Sequence, residues 1–408
     1  MISKRILPFA LAAFGSTVAI GFAAAELPVE PTPSVRSLPA DYPDSFVFLV
    51  DGNFWGLESG KVVIADVGSE IDHHRGSIGA AQFGFFAAAK TRPELYVVET
   101  FFTRGQRGVR TDVLTIYDRT TLEQTGEVVL PGGKRAQTLT EKGAFQLSAD
   151  ERFAYVFNFT PASSVTVVDL VKRKIVGDVD IPGCVDAFAL KTGGFASLCG
   201  NGGIASTKLD ANGKFVRQTM SEPFQDIDKA PIFSRPAIVD GVAYFPTYDG
   251  RIQPIDFNGD EAVVGEAWPI VADKADAAPK KKSWRDRIPG LSKPDHSGDK
   301  RLPSGWQLMT SDDAGHLYVL MRRTENFDDH DTGGDEVYVI DPKSRDVVNR
   351  IRLRSESALI EVTGGADPYL VALNADMSLD VLKANNGEFV RRIGGQIVMS
   401  PFAMVADK

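Results

Sequence analysis

From Val47 onward the chain alternates short apolar runs of period two with polar turns. One local pattern recurs. A β-prone run ends in an aspartate, a polar turn follows, and a second β-prone run comes after it. The copies are Val62–Asp66, Leu114–Asp118, Val165–Asp169, Ala205–Asp210, Ile252–Asp256 and Val337–Asp341, with an altered seventh at Leu379–Lys383. Successive copies lie 41 to 52 residues apart, except for one step of 85 that accommodates an insertion. Most copies are preceded by another strand, as in Phe153–Phe157, Val242–Phe245, Leu317–Met321 and Tyr369–Asn374. Period two places successive side chains on opposite faces of a strand. A unit of 40–50 residues with about four such strands is a propeller blade. The pattern predicts an all-β chain, a seven-bladed β-propeller of four-stranded antiparallel blades, folded as one domain over 46–408. A sandwich would not hold a blade-length period along the whole chain. A helical solenoid needs a 3.6-residue period, which is missing here.

The first residues read differently. Lys4 and Arg5 precede an apolar run from Ile6 to Ala24, and Ala23-Ala24-Ala25 supplies small side chains ahead of Glu26. This is the pattern of a secretory signal over 1–25, followed by an N-terminal extension over 26–45. The expectation is an exported, periplasmic chain with no membrane segment in the mature form. Export bears on the two cysteines, Cys184 and Cys199. So low a count cannot build a Cys metal cluster and fits either one disulfide or two free thiols. An oxidising compartment favours pairing, and two antiparallel neighbours would bring the pair within range. A redox-active pair would be expected in C-x-x-C spacing, and the spacing here is 15 residues. The formal net charge of −9 argues against nucleic acid as a partner.

Candidate chemistry is sparse. The chain has five histidines, and neither a nucleophile elbow nor a phosphate-cradling glycine loop occurs. His73-His74 sits in a charged turn, and His330 in a charged loop where surface hydrogen bonding is its expected role. We therefore expect no catalytic constellation, cofactor site or metal site in this chain. Two features stand out. A polar insertion at about 268–304 carries Lys280, Lys281 and Lys282, a positive patch on an acidic protein. It reads either as a solvated excursion or as a docking surface for an acidic partner. The segment Asp51-Gly52-Asn53-Phe54-Trp55-Gly56 places an aromatic pair between glycines, either as blade-edge packing or as an aromatic lip on one face.

Several stretches together resemble the heavy subunit of the periplasmic quinoprotein amine dehydrogenases, the methylamine and aromatic amine dehydrogenase family. They are Thr111 through Asp118 with Thr121-Leu122 and Val129-Leu130-Pro131, and Phe157 to Ala162 leading to Val165–Leu170. Further along are Pro182-Gly183-Cys184 with Cys199, Arg235-Pro236-Ala237, Pro246 to Ile252, and Gly305-Trp306-Gln307. The resemblance spans about Val47 to Ala406. It implies a seven-bladed heavy chain with a Cys184–Cys199 disulfide and no cofactor of its own. It also implies a small Cys-rich light subunit that holds tryptophan tryptophylquinone, in a heterotetramer of two heavy and two light chains. That assembly would oxidise a primary amine to aldehyde plus ammonia and pass electrons to a blue-copper protein. With two cysteines and four scattered tryptophans, this chain does not fit the light subunit. In the family a heavy-chain Phe after an Asp-initiated turn lines the substrate channel. Phe54 matches it with one residue fewer in between, and Trp55 is the competing match. The alternative reading is a periplasmic propeller that binds a partner or ligand without belonging to an enzyme.

Overall fold

A computed structural model describes residues 37–271, 301–324, 329–395 and 397–408. The expected signal at 1–25 and the basic run Lys280–Lys282 lie outside the described residues. Apart from two short 3₁₀ turns, the described elements are β-strands. All seven sequence repeats fall on strands: Lys61–Asp66, Arg107–Asp118, Ser164–Asp169, Ile204–Leu209, Arg251–Asp256, Gly334–Asp341 and Leu379–Lys383. The recurring aspartate has a physical reason. Its carboxylate accepts backbone N–H groups of the turn that follows, which ends the strand and reverses the chain. Asp118 accepts from Thr120 and Thr121 at 2.8 Å each, Asp169 from Lys172 at 2.8 Å, Asp210 from Asn212 at 2.8 Å and Asp341 from Lys343 at 2.9 Å.

Pairing is antiparallel throughout these sheets. The first sheet takes its inner strand, Pro401–Ala406, from the far end of the chain. It continues through Phe46–Asp51 and Lys61–Asp66 to His74–Gly79. Three four-stranded sheets follow in sequence order, running from Phe85–Ala88 to Gln124–Val129, from Phe145–Leu147 to Lys174–Asp180 and from Cys184–Ala189 to Phe215–Met220. A fifth begins at Ala237–Val239 and also holds Trp268–Pro269.

The sheets close on one another through shared apolar layers. Phe46, Phe48 and Val50 pack with Leu95 and Val97 of the second sheet. The intervening Val47 and Leu49 pack with Val371 and Val381 from the other end of the chain. One strand thus buries both faces, because alternate side chains meet different neighbours. Further layers join the second, third and fourth sheets, the fourth and fifth, and the fifth with the remaining strands. The architecture is an all-β propeller with four-stranded antiparallel blades.

The expected seven separate blades are not found as seven sheets. Five sheets are separate, and the remaining strands form a single eight-stranded sheet from Arg301–Pro303 to Phe389–Ile393. The reason is one 17-residue strand, Asp346–Val362. Its first half pairs with Gly334–Asp341 and its second half with Tyr369–Asn374, so hydrogen bonding passes through without a break. The ends of the expected insertion also belong to sheets. Trp268 is buried and pairs with Ile252, and Arg301–Pro303 pairs with Leu317–Arg323.

Cys184 and Cys199 stand directly opposite in neighbouring strands and are joined by a disulfide. Tyr42, ahead of the first strand, is buried against Phe46 and Phe48. Among the described residues no helix is long and apolar enough to cross a membrane.

Candidate functional site: an aromatic rim on one face

In an antiparallel blade the link between the second and third strands leaves on the same face as the link to the next blade. Loops 52–60, 80–84, 105–106, 130–144, 159–163 and 394–400 therefore share one face by topology. The aromatic pair foreseen in the sequence lies there. Trp55 is 86% exposed and Phe54 54%, so neither is core packing. The Phe54 ring meets Phe402 edge-on at 4.8 Å and Phe83 at 6.0 Å, and Phe83 and Phe402 lie 6.2 Å apart. Gly52 makes room for this cluster, since a Cβ there would stand 2.3 Å from a carbon of the Phe402 ring.

The cluster is held from beneath by buried charge. Asp51 is fully buried at the end of the first strand. Its carboxylate accepts from the backbone N–H groups of Asn53 at 3.0 Å, Met399 at 2.7 Å and Ser400 at 2.9 Å. Phe54 N–H in turn donates to Ser400 Oγ at 2.9 Å. Loop 52–54 and loop 398–400 are thereby one unit. Removing the carboxylate orphans several buried donors at once. Asp51→Ala is expected to lower stability by about 2–3 kcal/mol. It should also speed amide hydrogen exchange at least about tenfold in peptides covering 52–60 and 397–402, since exchange follows local opening. Unchanged exchange in both would refute the clamp.

Arg135 and Glu99 hold the Phe83 side. Gln82 and Phe83 both adopt left-handed backbone, φ +54° and +58°, a region that costs a non-glycine residue free energy. The fully buried Arg135 donates to Gln82 O at 2.6 Å, Phe83 O at 3.1 Å and Ala136 O at 3.0 Å. Its guanidinium lies over the Phe85 ring at 5.1 Å. Burial pushes this group down to about 10, with the negative charge of Asp112 opposing, so it is cationic at neutral pH. Glu99 accepts from Ala81 N–H at 2.8 Å and from Thr115 Oγ1 at 2.6 Å, and burial raises its carboxyl against those bonds.

Nearer the ring centre, Arg235 pairs with Glu141 at 2.7 Å, donates to Trp306 O at 2.8 Å and stacks on the Trp306 ring at 3.6 Å. Beside it Phe233, Tyr248 and His330 form an aromatic row, with ring distances of 4.4 Å and 4.5 Å. His330 was expected on a solvated loop. Its ring is half-buried and stacks on Tyr248, and its backbone carbonyl accepts from Gly305 N–H.

The structure thus brings Phe54 and Trp55 to the surface and adds Phe83 and Phe402, which no motif marked. Arg135 sits in a Gly-Gly-Lys-Arg-Ala stretch that reads as a solvated turn. A hint for Gln82-Phe83 was the flanking Ala81 and Gly84, small residues that suit a sharp turn.

An exposed aromatic rim, braced from beneath by Asp51 and Arg135, marks one face of an all-β propeller. The chain belongs to the methylamine dehydrogenase heavy chain family: the pattern described as "Methylamine dehydrogenase heavy chain (MADH)" matches residues 71–405. The methylamine dehydrogenase heavy chain of Paracoccus versutus is 26% identical over 372 residues, covering 89% of this chain and 78% of that one. That of Methylorubrum extorquens is 25% identical over 334 residues, covering 79% and 76%. Among solved structures, a protein from Lactobacillus plantarum superposes with a TM-score of 0.55 at 10% identity, covering 89% of this chain and 98% of that one. Hsv2 of Kluyveromyces lactis superposes at 0.50 with 12% identity, covering 86% and 96%. At such identities these two speak for the fold alone.

Proposed function

We propose that this chain is the heavy subunit of an amine dehydrogenase and that its aromatic rim faces a small, Cys-rich light subunit. The observation that carries the reading is the Phe54 and Trp55 pair, exposed yet fixed from beneath by Asp51, on a chain of this family. Exposed aromatic side chains on a rigid base are what protein interfaces and substrate channels use. Phe54, Phe83 and Phe402 would line the way in for the amine, and Trp55 would anchor the partner. The quinone cofactor of the light subunit, tryptophan tryptophylquinone, would accept the two electrons when a primary amine and water become aldehyde and ammonium. This chain's residues would wall the channel, orient the carbon chain of the amine and exclude bulk water. They need no nucleophile of their own, since the cofactor carries the chemistry.

The same reading includes a heterotetramer of two heavy and two light chains, a blue-copper electron acceptor and a periplasmic location. The Cys184–Cys199 bond supports export, because such bonds persist in oxidising compartments.

The reading also counts seven blades. Tyr318 Oη reaches Ala384 O at 3.5 Å, although their strands are four apart in the hydrogen-bonded order of the eight-stranded sheet. In a flat sheet four strand spacings span about 19 Å. The sheet therefore folds back on itself, and we take its halves as two blades sharing the strand Asp346–Val362.

Co-expression with a small exported Cys-rich chain, followed by amine-dependent dye reduction, tests the function. We expect a stable complex and turnover of a short aliphatic or aromatic amine. In that complex Phe54→Ala should shift kcat/KM or amine preference by about tenfold, equal to about 1.4 kcal/mol. Trp55→Ala should weaken assembly by about 2 kcal/mol, the scale of an interface anchor. Absence of both assembly and turnover would favour a propeller that binds a partner outside any redox enzyme. Kinetics indifferent to Phe54→Ala would remove the channel assignment alone.

A further inference from the structure

A cavity of about 410 Å³ opens between the third and fourth sheets, apart from the Phe54 rim. Phe157, Phe159, Val185 and Ala136 give it an apolar wall, and Asp186, Glu141 and Ser234 its polar side. Phe159 stands at its mouth, 64% exposed.

Asp186 is the unusual member. It lies on the strand Cys184–Ala189, at a break in register between Val185 and Phe188, with φ +65°. Its backbone carbonyl accepts from Ser197 Oγ at 2.7 Å, which fixes the strained turn. The residue is only 3% exposed, and its Oδ2 is buried with no hydrogen-bond partner. The carboxyl group presses on Gly143, where a Cβ would stand 2.7 Å from Asp186 Cγ. A glycine there is what lets the acid sit at this wall.

The neighbouring charges do not complete Asp186. Arg235 is the cation that acts on Asp186, but its two terminal nitrogens go to Glu141 at 2.7 Å and to the Trp306 carbonyl at 2.8 Å. Ser234 Oγ also donates to Glu141, at 3.2 Å. With Arg235 and Glu141 offsetting each other, one buried carboxylate remains in excess. Burial and the nearby Glu141 push the Asp186 carboxyl well up, against Arg235, as expected of an acid that lacks a counter-charge. An unpaired buried carboxylate is costly and is relieved by a proton or a cation.

The wall decides which cation suits. A divalent metal asks for several oxygen ligands, and the described residues hold no group of three potential metal-ligating acids, histidines or cysteines. Two phenyl rings beside one carboxylate suit an organic ammonium, whose charge meets the acid while its carbons meet the rings. We propose that this cavity binds a small protonated organic amine, its ammonium on Asp186 and its carbon chain against Phe157, Phe159 and Val185. The site goes beyond the reading of the chain as a dehydrogenase subunit and is read on the chain alone, without turnover.

The test is calorimetric titration of the purified full chain with methylamine hydrochloride and 2-phenylethylamine hydrochloride. Potassium chloride and 2-phenylethanol serve as controls at matched ionic strength. We expect saturable one-to-one binding, tighter for 2-phenylethylamine, and none for the controls. The near-isosteric Asp186→Asn should weaken 2-phenylethylamine at least about tenfold. Phe159→Ala, an exposed substitution that spares the fold, should weaken it several-fold. Three results overturn the proposal: no saturable amine binding, 2-phenylethanol binding as tightly as the amine, or unaltered affinity in Asp186→Asn. Should Asp186→Asn fail to fold, unaltered affinity in Phe159→Ala overturns it instead.

Discussion

Replacing Arg135 by methionine is expected to lower the unfolding free energy by about 3–5 kcal/mol, the scale for removing one partner of a buried charged network. Methionine keeps an unbranched stem of similar length, so the loss is of donors rather than of packing. Three backbone carbonyls, those of Gln82, Phe83 and Ala136, lose their guanidinium N–H groups. Thr100 Oγ1 loses the Nε donor that reaches it at 3.0 Å. Asp112 keeps Arg110 at 2.8 Å and Gly133 N–H at 2.9 Å, so its own burial remains tolerable. The left-handed turn at Gln82-Phe83 has then lost most of what holds it and should relax. A urea unfolding series reads the first effect, and amide exchange over 81–84 reads the second. A midpoint within about 0.5 kcal/mol of the parent, the range of ordinary surface changes, would show that Arg135 is dispensable to the turn.

The second large effect is expected at Glu361, near the end of the strand Asp346–Val362. Its carboxylate is buried and accepts from Lys142 Nζ at 2.7 Å, Gln307 Nε2 at 3.1 Å and Thr310 Oγ1, with Lys408 Nζ at 3.5 Å. Burial acts most strongly on this acid and would raise it, but Lys142 and Lys408 together hold it below its ordinary 4.5. Burial also depresses the Lys408 ammonium, with Glu361 opposing, so part of the attraction goes into keeping that cation inside. Glu361→Gln removes the one carboxylate that both Lys142 and Lys408 reach, and should cost about 3–5 kcal/mol at pH 7. The sign with pH follows from the lowered carboxyl. An acid that is stronger in the folded state stabilises fully above its unfolded value and loses that contribution as pH falls through its folded value. The parent should therefore lose stability on acidification below about pH 4.5, the unfolded carboxylate range. The variant lacks this component, so the two stability curves converge in acid. Curves that stay parallel from pH 7 down to pH 3 would refute the assignment.

The repeat was legible because the third strands are buried on both faces and end in a turn-forming aspartate. Val165–Asp169 shows both signals, apolar on either side and capped where Asp169 meets Lys172 N–H. That Asp346–Val362 runs as one strand was not legible, because a period-two pattern does not say where one sheet's hydrogen bonding stops, and here both halves of the strand find partners. The aromatic pair was legible as a feature and ambiguous as to place. Period-two patterning says nothing of residues in loops, so exposure at Phe54 and Trp55 had to be seen. Arg135 and Phe402 were not legible at all, and Asp51 was legible only as the start of its turn. Each acts across a long separation, and a lone arginine or aspartate beside glycines reads as a turn.

The clamp joins residues 349 positions apart, Asp51 and Ser400. Phe54 and Phe402 meet across nearly as long a separation. The two edges of this rim therefore come from opposite ends of the propeller sequence and exist together only once Pro401–Ala406 has added itself to Phe46–Asp51. A chain without Pro401–Ala406 would lack Phe402 and one side of the cluster. A partner that bound the rim, as proposed above, would thereby read completeness, since it would meet its whole surface only on finished chains.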